Sequence, residues 1–174
     1  MILEDVKMKV DIVQANAEMC QEIAIVKRQV WESTYRGIYP NSKFDNYNIQ
    51  NEAQKFLRMV LSPNIHLYVA QVEGKIVAYM AFGQSPRRNE TLTNELVLLS
   101  VLKTHQGLGI GKQLFDFAKY HINQAGHDHF VLCCNKYNKG AQAFYQKMGC
   151  QVVSIDDDNE DKSIPQVNFV YHYW

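Results

Sequence analysis

Apolar positions along the chain change their period several times, and each change predicts an element. Lys7 to Gln14 alternates as a first strand, and Asn16 to Trp31 then carries Met19, Ile23, Val26 and Val30 at helical spacing, with Asn16 placed as an N-cap. Gly37-Ile38-Tyr39-Pro40-Asn41-Ser42 interrupts this pattern before a second helix from Gln50 to Leu61, which Ser62-Pro63-Asn64 ends. His66 to Val72 and Lys75 to Phe82 have period-two apolar residues and flank Glu73-Gly74, the signature of a hairpin. A polar loop is expected over Gln84 to Thr93. Glu95 to Leu102 is nearly continuous in apolar residues, as a strand buried on both faces should be. A helix reaching about Gln124, a strand near Phe130 to Cys134, a helix from Asn138 to Met148 and closing strands around Gln151 to Ile155 and Gln166 to Tyr173 complete the order. The pattern predicts an α/β fold, a mixed sheet with helices on both faces.

Composition narrows the class. The 174 residues, 47% of them hydrophobic, suffice for a single domain with its own core. Lys plus Arg and Asp plus Glu each number 18, a balance that argues against a nucleic-acid or membrane binder driven by bulk charge. Met1 to Val10 lacks the apolar core of a signal peptide, and no later run approaches the ~20 residues of a membrane span, so a cytoplasmic protein is expected. Cys20, Cys133, Cys134 and Cys150 form no Cys-x-x-Cys pair and have no matched histidines, so no metal site is expected. The six histidines likewise show no catalytic or metal spacing.

The candidate chemistry starts at Gln106-Gly107-Leu108-Gly109-Ile110-Gly111-Lys112, between an apolar strand and a helix. Closely spaced glycines let the backbone turn sharply, so that successive N–H groups and the positive end of the helix face one anion, for which a pyrophosphate is the natural guest. The dinucleotide fingerprint needs a glycine where Lys112 stands, and the nucleoside-triphosphatase loop needs Ser or Thr where Gln113 stands. Neither fits. The stretch instead resembles the Gln/Arg-x-x-Gly-x-Gly/Ala signature of the GNAT superfamily of N-acetyltransferases, with Gln106, Gly109 and Gly111 at the signature positions. Leu132-Cys133-Cys134, Asn138, and Ala141 to Cys150 look like that family's next strand, its asparagine and its Phe-Tyr-x-x-x-Gly-Phe helix. Cys150 stands where the family usually has phenylalanine. The cradle and the helix are also similar, more distantly, to bacterial polyamine acetyltransferases.

The resemblance implies a mostly antiparallel central sheet of about seven strands and acetyl-CoA as co-substrate. Backbone groups around Leu99 and Val101 would hold the pantetheine arm, and the amides of Gly107, Leu108, Gly109, Ile110, Gly111 and Lys112 the pyrophosphate. Tyr145 matches the family's general acid, which protonates the departing thiolate. Adjacent helical residues lie ~100° apart, so Phe144 is expected to face the core and Tyr145 the cleft. Asn138 caps its helix, and in some members the matching asparagine also touches the coenzyme. Glu95 matches a carboxylate that serves some members as a base through water, and a strand-end glutamate facing solvent is an equal alternative. Trp31, Tyr35 and Tyr39 are candidates to wall a pocket for a small-molecule or peptide amine by cation–π contact. The acidic run Asp156 to Asp161 suggests a polyamine-like acceptor, if it flanks the mouth. A non-catalytic acyl-CoA-binding module of the same fold, and a homodimer, stay open.

Overall fold

The structure, a computed structural model, describes residues 8–86, 92–156 and 165–173. Its centre is a seven-stranded sheet in the order β1-β2-β3-β4-β5-β7-β6, built from β1 (Asp11–Gln14), β2 (Ile65–Val72), β3 (Lys75–Pro86), β4 (Leu92–Val101), β5 (His129–Asn135), β6 (Gln151–Asp156) and β7 (Gln166–His172). Every neighbouring pair is antiparallel except β4 and β5. The expected mixed, mostly antiparallel sheet is therefore present.

Alternation of side chains along the strands divides the core into two layers. Ala78, Met80 and Phe82 of β3 pack with Ile110, Leu114, Phe115 and Ala118 of α4 (Ile110–Gln124), and Tyr145 of α5 (Lys139–Lys147) joins them. Tyr79 and Ala81 face the opposite way, to Ile23, Ala24 and Val26 of α1 (Cys20–Tyr35) and Phe56 of α3 (Ile49–Val60). Each large side chain so buried contributes about 1.5–3 kcal/mol. Asparagine side chains cap three of the helical segments: Oδ1 of Asn16, Asn48 and Asn138 accepts from Met19, Asn51 and Ala141 N–H.

Several boundaries differ from the sequence reading. Strand β1 is shorter than Lys7 to Gln14. Asn16 caps a 3-10 turn over Ala17–Met19, and α1 then runs four residues past Trp31. A short α2 (Ser42–Asp45) occupies the segment after the expected break, with Phe44 buried beneath it. The hairpin forms through Glu73 (φ 51°) and Gly74 (φ 75°), the positive angles that a two-residue turn between twisted strands requires. Of the polar loop expected over Gln84 to Thr93, residues 84–86 and 92–93 are strand, because β3 continues to Pro86 and β4 begins at Leu92 and the two pair there, while positions 87–91 lie outside the described residues. Val97 to Ser100 of β4 are only partly buried, contrary to the reading of a strand covered on both faces.

Candidate active site

The exposure of Val97 to Ser100 has its cause in pairing. β4 pairs with β3 along its whole length but with β5 only at Glu95 opposite Val131. Beyond that point β5 stays with β7 through Asn135, and the two parallel strands leave a gap between their carboxyl ends. The backbone of β4 faces into it. Leu102 N–H donates to Val77 C=O, which makes those residues a hydrogen-bonded antiparallel pair. Alternation then makes Val101 opposite Ala78, and Leu99 opposite Met80, non-hydrogen-bonded pairs whose N–H and C=O groups point away from β3. One of these is engaged: the Gln106 side-chain amide donates to Val101 C=O at 3.0 Å. Gln106 thereby ties the glycine loop to the strand end.

The loop has the geometry of an anion cradle. Gly109, the N-cap of α4, is left-handed at φ 83°, and Gly107 sits at φ 76°. A Cβ built on either meets nothing within 4 Å, so both face open space. Gln113 N–H closes the first helical bond onto Gly109 C=O. The N–H groups of Ile110, Gly111 and Lys112 consequently have no intrahelical partner and converge at the positive end of a 15-residue helix. Leu108 is exposed at the loop's crest and Ile110 is fully buried. The ammonium of Lys112 is paired with Asp116 one turn on, so the cradle's attraction rests on backbone dipoles.

Tyr145 requires a correction. It is 5% exposed, whereas Phe144 is only partly buried, the reverse of the expected division between core and cleft. The Tyr145 ring packs against Phe115, Phe144 and Phe169, and Cys134 near the carboxyl end of β5 lies close to its phenol. Burial is the main reason that its phenol titrates well above the usual tyrosine range, with Cys134, Cys133, Cys150 and Tyr35 adding to the rise. Cys150 is held beside it by the helix end, where Cys150 N–H donates to Tyr145 C=O and Gly149 N–H to Gln146 C=O. The substitution of cysteine for phenylalanine leaves position 150 buried in the same cluster, and burial pushes its thiol up to about 12.

Of the two readings of Glu95, the solvent-facing strand end is excluded: the residue is 5% exposed, because β4 starts three residues earlier and flanks it with β3 and β5. Leu96 packs under α4, so Glu95 points to the other face, the one covered by α1 and α3. It stands where the gap closes.

Trp31, Tyr35 and Tyr39 are brought together as expected, with ring centroids 5.1 Å apart for the first pair and 5.6 Å for the second. Tyr137 extends the row, 6.2 Å from Tyr39. Lys43 Nζ lies 4.8 Å over the Tyr39 ring, so this chain's own cation already occupies that π-face. Asn138 caps α5 and its Nδ2 reaches Tyr35 Oη at 3.4 Å. Asp156 accepts from Asn168, while positions 157–161 of the acidic run lie outside the described residues.

Three contributors escaped the sequence reading. Val97 is the extra residue of a bulge, since Ala81 opposes Leu98 and Phe82 opposes Leu96. Asn135, 8% exposed, donates to Tyr39 Oη and accepts from Tyr137 N–H. Its place at the end of an apolar strand was the available signal. Cys134 lies beside both phenols, and its thiol is pushed up to about 12, chiefly by burial. A separate hollow of about 350 Å³, lined by His66, Tyr68, Phe82, His121 and His127, shares no residue with the gap or the cradle.

The sequence matches the Acetyltransferase (GNAT) family over residues 28–150. A 5-NmdU N-acetyltransferase of Pseudomonas phage PaMx11 is 31% identical over 86 residues, 49% of this chain and 57% of that protein. An uncharacterized N-acetyltransferase from the pepI 3' region of Lactobacillus delbrueckii subsp. lactis is 24% identical over 153 residues, 80% of this chain and 83% of the relative. Among solved structures, the PaiA N-acetyltransferase of Thermoplasma acidophilum in complex with coenzyme A superposes with a TM-score of 0.79 at 20% identity, covering 95% of this chain and 100% of that one. At that identity the likeness speaks for the fold. Among the described residues no helix is long and apolar enough to cross a membrane.

Proposed function

The chain belongs to the GNAT family of acetyltransferases, whose co-substrate is acetyl-CoA, and from that premise we propose that it moves the acetyl group to a primary amine of a small molecule or peptide by direct attack, with Tyr145 as general acid. The observation that carries this reading is the gap itself. It joins outward-facing backbone groups of Leu99 and Val101 to an anion cradle at Gly107 to Lys112, and the reading is supported by the buried Tyr145 phenol close to Cys134 of β5. The site fits the coenzyme: the strand edge offers a ladder to an amide-bearing arm, and the open side of Gly107 and Gly109 leaves room for a pyrophosphate.

When bound, acetyl-CoA supplies an activated acyl group with a sulfur leaving group. Tyr145 holds a proton for that sulfur, and burial keeps the phenol neutral across the physiological range. An amine with a lysine-like pKa of ~10.4 arrives as the ammonium and must lose a proton before it attacks. Glu95 takes that proton through water. Val131, opposite Glu95, is three residues from Cys134 at the phenol's level, which is about 10 Å of strand, too far for direct contact. Trp31, Tyr35 and Tyr39 wall the acceptor side; Lys43 over Tyr39 leaves the other rings to receive a cationic head.

Release of free thiol from acetyl-CoA, followed across a panel of primary amines, tests the activity and identifies the acceptor class. In the Tyr145→Phe variant kcat should fall by ~10²–10⁴ with little change in KM, since the lost proton transfer acts only in the transition state. Near-parental turnover under chemistry-limited conditions removes Tyr145 from the mechanism.

A further inference from the structure

We propose that Tyr35 is a second catalytic phenol, which hands the attacking amine's surplus proton across the gap to Tyr145. The inference rests on the reading of Tyr145 as general acid. Tyr35 is the last residue of a surface helix, yet it is 8% exposed. The helix delivers it to the carboxyl end of β5, near Cys134 and Asn138, where Trp31 on one side and Tyr39 on the other fix its ring.

Its hydroxyl is oriented as well as buried. Asn138 Oδ1 is committed to Ala141 N–H at 3.0 Å, which settles the amide's orientation and turns Nδ2 to Tyr35 Oη. A phenol oxygen that receives a donor keeps its own proton to give, together with a further lone pair to accept with. Asn138 and Tyr145 are seven residues apart and therefore share one face of α5, and the Tyr145 side chain leans toward the helix N-terminus where Asn138 sits. Tyr35, held by Asn138, thus comes to the same face from the α1 side. Tyr35 and Cys134 are both close enough to Tyr145 to raise its pKa further.

The transfer balances. As the amine nitrogen bonds to the acyl carbon and the carbon–sulfur bond breaks, Tyr145 gives its proton to sulfur, Tyr35 replaces the proton on Tyr145, and the nitrogen returns one to Tyr35. One N–H bond is lost and one S–H bond gained, and both phenols end as they began. Neither has to persist as a phenolate, an anion that burial disfavours for both residues. The other proton, the one that makes the arriving amine an ammonium, leaves earlier by way of Glu95, so the two groups serve different protons.

Four full-length proteins test this: the parent, Tyr35→Phe, Tyr145→Phe and the double variant, each assayed by thiol release with the best amine of the panel. Tyr35→Phe should lower kcat about a hundredfold and leave KM within about threefold. Because both phenols serve one transfer, the double variant should be no more than about twofold slower than Tyr145→Phe. Rates in mixtures of light and heavy water should bow for the parent and run straight for Tyr35→Phe. Asn138→Asp guards against a folding artefact: aspartate keeps the helix cap but withdraws the donor and draws the Tyr35 proton to itself, so kcat should fall as in Tyr35→Phe while the melting temperature holds. A raised KM with unchanged kcat, or multiplying losses in the double variant, makes Tyr35 a pocket wall and overturns the relay. If Tyr145→Phe itself turns over like the parent, the underlying reading is what fails.

Discussion

β4 has two edges, and they treat the same backbone in opposite ways. Toward β3 it is paired from Leu92 to Val101, and the side chains of β3 are sealed between α4 on one face and α1 and α3 on the other. Toward β5 it is paired once, at Glu95, and then left open. The closed edge is a matter of apolar burial, which holds the sheet whatever its ligand. The open edge keeps backbone hydrogen-bonding groups unspent, a cost that a folded protein sustains where something else supplies the partners. Residues that look alike in the sequence therefore have different duties on the two sides.

The glycines break this comparison most sharply. Gly83, at φ 146°, lies between β2 and β4 on the closed side, and a Cβ there would sit 2.0 Å from the backbone oxygen of Asn64. That oxygen also accepts from Gln84 N–H, so it cannot retreat freely. Gly83→Ala should cost on the order of 3 kcal/mol or more, read from the midpoint of urea unfolding. A shift under about 0.5 kcal/mol would mean that the closed half yields where it is described as tight.

Gly109 belongs to the open side, and the same kind of change should act on the ligand instead. A Cβ there meets no protein atom within 4 Å, although the left-handed backbone adds about 1–2 kcal/mol of local strain. The bulk of a valine projects where the pyrophosphate would sit, so affinity for coenzyme A should drop at least about tenfold by calorimetry while the protein stays folded. Parental affinity in a folded Gly109→Val would sink the cradle.

The two edges were also unequally legible in the sequence. Element order on the closed side could be read because alternation and helical spacing report burial directly, as with Tyr79 and Ala81 against Met80 and Phe82. The cradle was legible because glycine spacing encodes backbone conformation. The gap was not, since it consists of pairings that β4 and β5 fail to make, and no side-chain pattern marks an absent hydrogen bond. The bulge at Val97 hid for the same reason. Tyr145 was recognised by resemblance but assigned the wrong exposure, because angular separation on a helix says nothing of what lies beneath each face. The contacts of Asn135 with Tyr39, and of Asn138 with Tyr35, join positions about a hundred residues apart, which local reading does not reach.

The mildest perturbation is alkaline pH, and it separates the two halves through their phenols. Tyr79 lies on the closed side and Tyr35 and Tyr145 on the open one, and burial holds all three above the ordinary tyrosine range. The thiols of Cys134 and Cys150 are likewise raised, to about 12. In the unfolded chain these groups release protons near ~8.5 for cysteine and ~10 for tyrosine, whereas the folded chain retains them. The unfolded state then binds fewer protons, so the stability they contribute is fully present below about pH 8.5 and is lost as pH rises toward the folded values. Melting temperature should be level from pH 7 to about 8.5 and decline beyond it. The phenol's proton gives Tyr145→Phe a shallower decline above about pH 10 than the parent, while a coenzyme-saturated parent keeps its phenols covered and declines later. A melting temperature that held level to pH 10.5 in the parent would mean that the gap admits water to Tyr145 freely, and that the wall of the site is not the buried surface described for it.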